Sequence, residues 1–417
     1  MTRGKSARNE PAGLPRRKSG TVVVERSPDR STSATGGLQP GRSNADKSGR
    51  PCGRLSGTVR RPCHNIARRA ATMAILSLVT LLAGQHAVAG PPKDIRPKHV
   101  TDGSLRAVIK GLDYLARMQA PNGSWQSTQD GSSYPTAMTS LAGMAFLANG
   151  NTTSRGPYSE SIRKAVRFVV AQQTPSGLIT VGEELGRPMY GHGFSLLFLS
   201  CAYGMETDAK VRERIKEVVT NGIKLTATGQ SSAGGWIYWP GGGDEGSVTV
   251  TQMQGLRAAH EAGLTVPKET IARAVHYLEM CKQGDGGICY SLGARGESRP
   301  PISAAAICCL YSAGEYESPL AKACLDYVHR QMKPQFGSQF RGNWGHDFYM
   351  NLYAAQAFYQ AGDKYWDEYF PPTRDELVRL QKQDGSWNSD GIGPVFDTSV
   401  GLIILQLPYK FLPIYQR

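Results

Sequence analysis

The stretch Lys110-Gly-Leu-Asp-Tyr114-Leu-Ala-Arg-Met-Gln119-Ala-Pro-Asn-Gly123-Ser-Trp125 decides the fold, because the chain writes it again. The second copy runs Lys164-Ala165-x-x-Phe168-Val169-x-x-x-Gln173-x-x-x-Gly177-x-Ile179. A third keeps Gln230, Gly234 and Trp236 at the same offsets. A fourth keeps Arg273-Ala274, Tyr277-Leu278 and Gly286-x-Ile288 but has Lys282 where the glutamine belongs. The fifth is loosest, with Tyr327-Val328, Gln331 and Gly342-x-Trp344, and the sixth restores Leu377, Gln381, Gly385 and Trp387. Successive marker glycines lie 43 to 57 residues apart.

Each part of the unit has a physical task. A glycine after a helix supplies the left-handed turn that residues with a side chain resist. A glutamine amide both donates and accepts, so it can join loose helix ends. The aromatic or aliphatic residue after the glycine anchors the turn into the next layer.

Between the markers lie two kinds of helical stretch. Residues 136–148, 192–203, 249–261, 302–312, 347–360 and 398–407 are apolar, and Ser303-Ala-Ala-Ala-Ile-Cys-Cys-Leu310 is apolar on every side. A helix that is hydrophobic all round is buried all round. The stretches 160–171 and 208–225 carry charge on one face and belong outside. The expected fold is therefore all-α: an α/α toroid of six helical hairpins, with an inner and an outer ring of six helices each. An open solenoid is the competing arrangement. A length of 417 residues would ordinarily mean two or three domains, but the repeat makes residues 101–417 one.

The formal charge of +14 invites a nucleic-acid reading, yet all of it lies in residues 1–100, with 19 basic and 5 acidic side chains. The remainder balances, so no nucleic-acid partner is expected. Residues 1–60 are rich in Arg, Ser, Gly and Pro and read as a disordered basic segment. Residues 61–89 read as a signal peptide: Arg68 and Arg69, an apolar run from Met73 to Ala83, and Ala87-Val-Ala89 before Gly90. The run is short for a membrane anchor, which is the competing reading. It also lies deep in the chain for a signal peptide, which points to a translation start nearer Met73. Residues 90–100 read as a linker. The expected location is exported, in the periplasm or outside the cell, with a membrane surface kept open as a partner. Six cysteines follow Gly90, without zinc-ligand spacing, so no metal is expected. Cys308 and Cys309 read as small core residues, and a Cys281–Cys289 bridge stays open as a pairing.

The pattern Lys/Arg, Gly/Ala, x-x, aromatic, aliphatic, x-x-x, Gln, x-x-x, Gly-x-Trp resembles the QW repeat of squalene–hopene and oxidosqualene cyclases. It is also similar to the repeats of protein prenyltransferase β subunits, and the resemblance covers about residues 101–412. More closely, Met189-Tyr190-Gly191-His192-Gly193 and the tail Leu405-Gln-Leu-Pro408 with Leu412-Pro-Ile-Tyr-Gln-Arg417 resemble exported bacterial proteins of the prenyltransferase and squalene oxidase repeat family. The resemblance implies one toroid with a central cavity and, for an enzyme, terpenoid cyclase or prenyltransferase chemistry. The catalytic motifs of those enzymes are not intact. Against the cyclase D-x-D-D motif stands Phe396-Asp397-Thr398-Ser399, with a phenylalanine at the proton donor's place. Against the segment that supplies the prenyltransferase zinc histidine stands Asp347-Phe348-Tyr349-Met350. A fold does not confer an activity.

Candidate residues cluster where loops enter the inner helices, because helix N-termini present unpaired N–H groups there. His192 between glycines, His346, Asp347 and Asp397 are candidate catalytic groups. The first is equally a turn histidine, and the two aspartates are equally N-caps. Tyr134, Tyr190, Tyr349 and Phe396 are candidate ligand-binding aromatics, which could stabilise a cation. Asp244 and Glu245 are candidate paired carboxylates in Gly241-Gly-Gly-Asp-Glu-Gly246, a stretch that also reads as a solvated turn. Gln252 is a candidate lumen-facing amide. No G-x-S-x-G elbow, P-loop or H-E-x-x-H occurs. The expectation is a toroid binding a hydrophobic, isoprenoid-like molecule without a cofactor. The alternatives are a non-catalytic module binding a protein or peptide partner and, more distantly, a carbohydrate-active enzyme.

Overall fold

The computed structural model describes residues 96–126, 133–336, 344–389 and 391–416. The basic segment 1–60, the signal peptide 61–89, most of the linker 90–100 and Gly342 lie outside the described residues. Twelve α-helices form among the described residues, and no strand beyond three isolated bridges. They alternate as expected. The outer set is α1 (Asp102–Met118), α3 (Ser159–Ala171), α5 (Ala209–Thr228), α7 (Lys268–Cys281), α9 (Pro319–Met332) and α11 (Asp363–Leu380). The inner set is α2 (Pro135–Ala148), α4 (Pro188–Met205), α6 (Gly246–Glu261), α8 (Pro300–Ser312), α10 (Asp347–Ala361) and α12 (Pro394–Gln406).

The inner helices pack in sequence, α2 on α4, α4 on α6, α6 on α8, α8 on α10 and α10 on α12. Helix α12 then packs on α2, so the ring is closed. This decides between toroid and open solenoid in favour of the toroid. All residues of α2 are buried, as its unbroken apolar surface requires. The outer helices wrap the ring with one face each, α3 on α2, α5 on α4, α9 on α8, α11 on α10 and α1 on α12.

The repeat markers do what their chemistry suggests. The Gln119 amide donates to Gly123 O in its own turn at 3.0 Å and to Ser161 O in the next outer helix at 2.9 Å. Gln173 and Gln230 repeat this pair of bonds to Gly177 and Val218, and to Gly234 and Thr270. Gln381 bonds Gly385 O and reaches across the closure to Ala107 O at 2.8 Å. Three of the four marker tryptophans donate the indole N–H to a carbonyl ten residues upstream: Trp125 to Leu115, Trp236 to Thr226 and Trp387 to Leu377. The carbonyls lie in the last turn of the outer helix, where intrahelical partners run out; Leu377 O also accepts from the Gln381 N–H at 3.2 Å.

Five inner helices begin before the expected residue, and four of them, α2, α4, α8 and α12, carry proline in the first turn. Proline at that position gives up no helical hydrogen bond and presets φ, so it extends the start upstream. The six cysteines are free and buried, so the Cys281–Cys289 bridge is not formed. No helix among the described residues is long and apolar enough to cross a membrane.

Candidate functional site

At the N-terminal ends of the inner helices the ring encloses a cavity of ≈ 610 Å³, within the range of small-molecule sites. Ala137, Met138, Leu141, Phe194, Ile302 and Phe396 form apolar walls. Five tyrosines (134, 190, 238, 290 and 349) line it, Ser247 and His346 border it, and Arg187 and Arg299 stand at its edge. No carboxylate borders it among the described residues.

Below the cavity the lumen is filled. Gln254 on α6 donates to Gln356 on α10 at 2.6 Å. Tyr349 and Tyr353 meet edge to face at 4.9 Å, and Tyr415 from the tail lies buried near Cys201 and Cys308. The 3-10 turn Pro413–Tyr415 packs on α6 and α10. It closes the end where Ala148 and Gln406 finish their helices. The cavity is thus a cup with a filled floor.

The structure brings Tyr134, Tyr190, Tyr349, Phe396 and His346 together around the cup. The other candidates lie behind the wall, each engaged in the scaffold. His192 is fully buried in α4. Its Nδ1 accepts from the Ile179 N–H at 3.2 Å and its Nε2 faces Thr226 Oγ1 at 3.0 Å. Accepting at Nδ1 places the proton of the neutral ring on Nε2. Burial lowers its pKa to about 4, so it stays neutral. At the equivalent place in other repeats Thr139, Thr249, Ser303 and Thr398 accept from the N–H of the marker residue. The imidazole therefore performs a hydroxyl's structural task.

Asp397, in the first turn of α12, is fully buried and accepts from the Ser389 N–H. Asp347 opens α10 and accepts from the Trp344 N–H at 3.3 Å. Asp244 is held by the Leu292 N–H at 2.9 Å, so it pins a loop rather than facing the cup. Gln252 is buried and donates to Met189 O and Thr251 Oγ1, tying α6 to α4.

Glu245 touches two residues of the wall, Ser247 and Tyr190. It caps α6 by accepting from the Ser247 N–H at 2.9 Å and the Val248 N–H at 2.7 Å. Burial pushes its pKa up, against the hydrogen bonds from Ser247 and the backbone, which pull it down. The Tyr190 hydroxyl, which borders the cup, bonds Ser247 Oγ and lies 3.4 Å from Glu245 Oε1. Glu245 therefore orients two wall residues from behind. Among the described residues no three His, Cys, Asp or Glu side chains group as metal ligands.

Sequence reasoning missed Arg187, Arg299, Tyr238 and Tyr290. Aligning the copies shows the signal. Copies three and four share a tyrosine two residues after the marker, Trp236-x-Tyr238 and Ile288-x-Tyr290. Copies two and four share Arg-Pro at the inner-helix start, Arg187-Pro188 and Arg299-Pro300.

No family model matches the chain and no curated protein matches it. Solved structures do match. The α-1,6-mannanase GH76A from Salegentibacter superposes with a TM-score of 0.54 at 11% identity, over 74% of this chain and 100% of that one. The type II terpene cyclase MstE from Scytonema gives 0.52 at 14% identity, over 75% and 100%. A variant of MstE holding its product, merosterolic acid A, gives 0.53 at 13% identity, over 74% and 97%. Likenesses at this identity establish architecture alone: the chain shares the α/α toroid of a terpene cyclase and a mannanase.

Proposed function

We propose that this toroid binds a hydrophobic small molecule of isoprenoid-like size in its cup, as a relative of terpenoid cyclases and prenyltransferases whose catalytic motifs are not intact. The observation that carries the reading is the cup itself, ≈ 610 Å³ of apolar and aromatic wall over a filled floor. MstE, which shares the architecture, is known in complex with geranylgeranyl dihydroxybenzoate. Among the described residues the cyclase proton donor has no counterpart on the wall: Phe396 faces the cup and Asp397 is buried behind it. A glycosidase needs two carboxylates facing its groove, and among the described residues the wall has none, which favours the hydrophobic guest over a carbohydrate. A peptide-binding module would present an extended concave surface, and a bounded chamber suits a small guest better.

Native mass spectrometry of the protein after exposure to a total lipid extract tests this. Retention of an isoprenoid or other lipid is expected, and Ala137→Phe, which fills the wall, should abolish it while the helical spectrum stays unchanged. Recovery of no apolar molecule would overturn the reading. We further propose export, on the basic flank, the apolar run and Ala87-Val-Ala89. N-terminal sequencing of protein recovered outside the cytoplasm should begin at Gly90.

A further inference from the structure

The inner helices differ in how their positive ends are treated. Glu184 crosses from the neighbouring repeat to accept from the Thr136 N–H at 2.7 Å at the start of α2. Glu245 caps α6, while Asp347 and Asp397 stand in the first turns of α10 and α12. These four ends carry the negative charge that a helix N-terminus favours. Helices α4 and α8 do the reverse, beginning at Arg187-Pro188 and Arg299-Pro300 with no side-chain cap. A cation at the positive end of a helix works against the dipole, so the fold gains nothing from its sign.

Among the described residues both guanidinium groups are held without a carboxylate. Arg187 lies over the Tyr238 ring at 4.7 Å and Arg299 over the Tyr290 ring at 5.0 Å. The two tyrosine hydroxyls meet at 2.6 Å, so the four side chains form one continuous rail along the cup. Stacking fixes the planes of the guanidiniums and leaves their N–H edges available. Neither arginine belongs to an ion pair among the described residues, and both border the cup. Deeper in, the buried Tyr349 hydroxyl has no hydrogen-bond partner among the described residues.

We propose that the occupant of the cup is an amphipathic anion, with its apolar chain on the aromatic wall and its oxyanion head between Arg187 and Arg299. The inference rests on the cup being a ligand site and adds the chemical class of the guest. A carboxylate and a phosphate monoester share the required chemistry, each offering two oxygens to a forked guanidinium.

Binding of dodecanoate, dodecyl phosphate and dodecanol, measured calorimetrically below their aggregation limits, separates the possibilities. At least one anion should bind about tenfold or more tightly than the alcohol of equal chain length. Arg187→Gln and Arg299→Gln should each weaken that anion by about tenfold and leave the alcohol unchanged. Whichever anion loses more identifies the head group. Both arginines lie at the exposed edge, so unchanged melting temperatures are expected and serve as the control. Equal binding of anions and alcohol would overturn the anionic guest while leaving the cup a hydrophobic site. Binding of none of the three would overturn both.

Discussion

His192 shows how one residue type can be mistaken for another's role. Its flanking glycines suggest an exposed acid–base group, yet the structure seats it where most other repeats place a threonine or serine. The consequence is a pH signature. With a folded pKa of about 4 against 6.5 in the unfolded chain, the unfolded state binds the extra proton. Stability is therefore present in full above pH 6.5 and falls as pH drops towards 4, by about 3 kcal/mol at most. Urea melts across that range should show the slope. His192→Gln, whose amide can accept from Ile179 and donate to Thr226, should flatten it, and an unchanged slope would show that other groups carry it.

At the scale of the element, the marker turn is a joint between neighbouring outer helices. At Gly385 φ is 94°, and an added Cβ would stand 2.3 Å from Lys110 O, in the first outer helix. Gly385→Ala combines a left-handed backbone with a backbone clash, and should cost at least about 2 kcal/mol in a denaturant melt. The helices themselves were legible in the sequence because hydrophobic periodicity separates all-round apolar segments from amphipathic ones. Their starts were legible only in part, since Pro135, Pro188, Pro300 and Pro394 set them. Part of the aromatic wall, Tyr134, Tyr190, Tyr349 and Phe396, was legible from its place at the starts of the inner helices, while Tyr238 and Tyr290 were not. The arginine rail was not, because Arg187 and Tyr238 belong to different copies and meet only once the ring exists. The same limit holds for Glu184, whose acceptor role at Thr136 spans two repeats. Charge and hydrogen-bond partners in a repeat protein are set by which copies become neighbours, and periodicity reports the copies one at a time.

The whole molecule depends on two closures, one around the ring and one beneath the cup. The lower closure is made by the tail: Ile414 and Tyr415 are buried against the C-terminal ends of the inner helices. Tyr415→Ala should cost about 3 kcal/mol and open the floor, seen as new binding of a hydrophobic dye by the folded protein; absent dye binding would place the floor higher, at Gln254 and Gln356. The ring closure is made by α12 on α2, with Gln381 bonded to Ala107 and Gln406 to Ala145. Contacts so distant in sequence are slow to form. A ribosome delivers the first repeat long before the sixth, so for an interval on the order of tens of seconds the nascent chain carries α2 with one greasy flank uncovered. Until α12 arrives, the flank that it covers in the finished ring stays open to association with other chains.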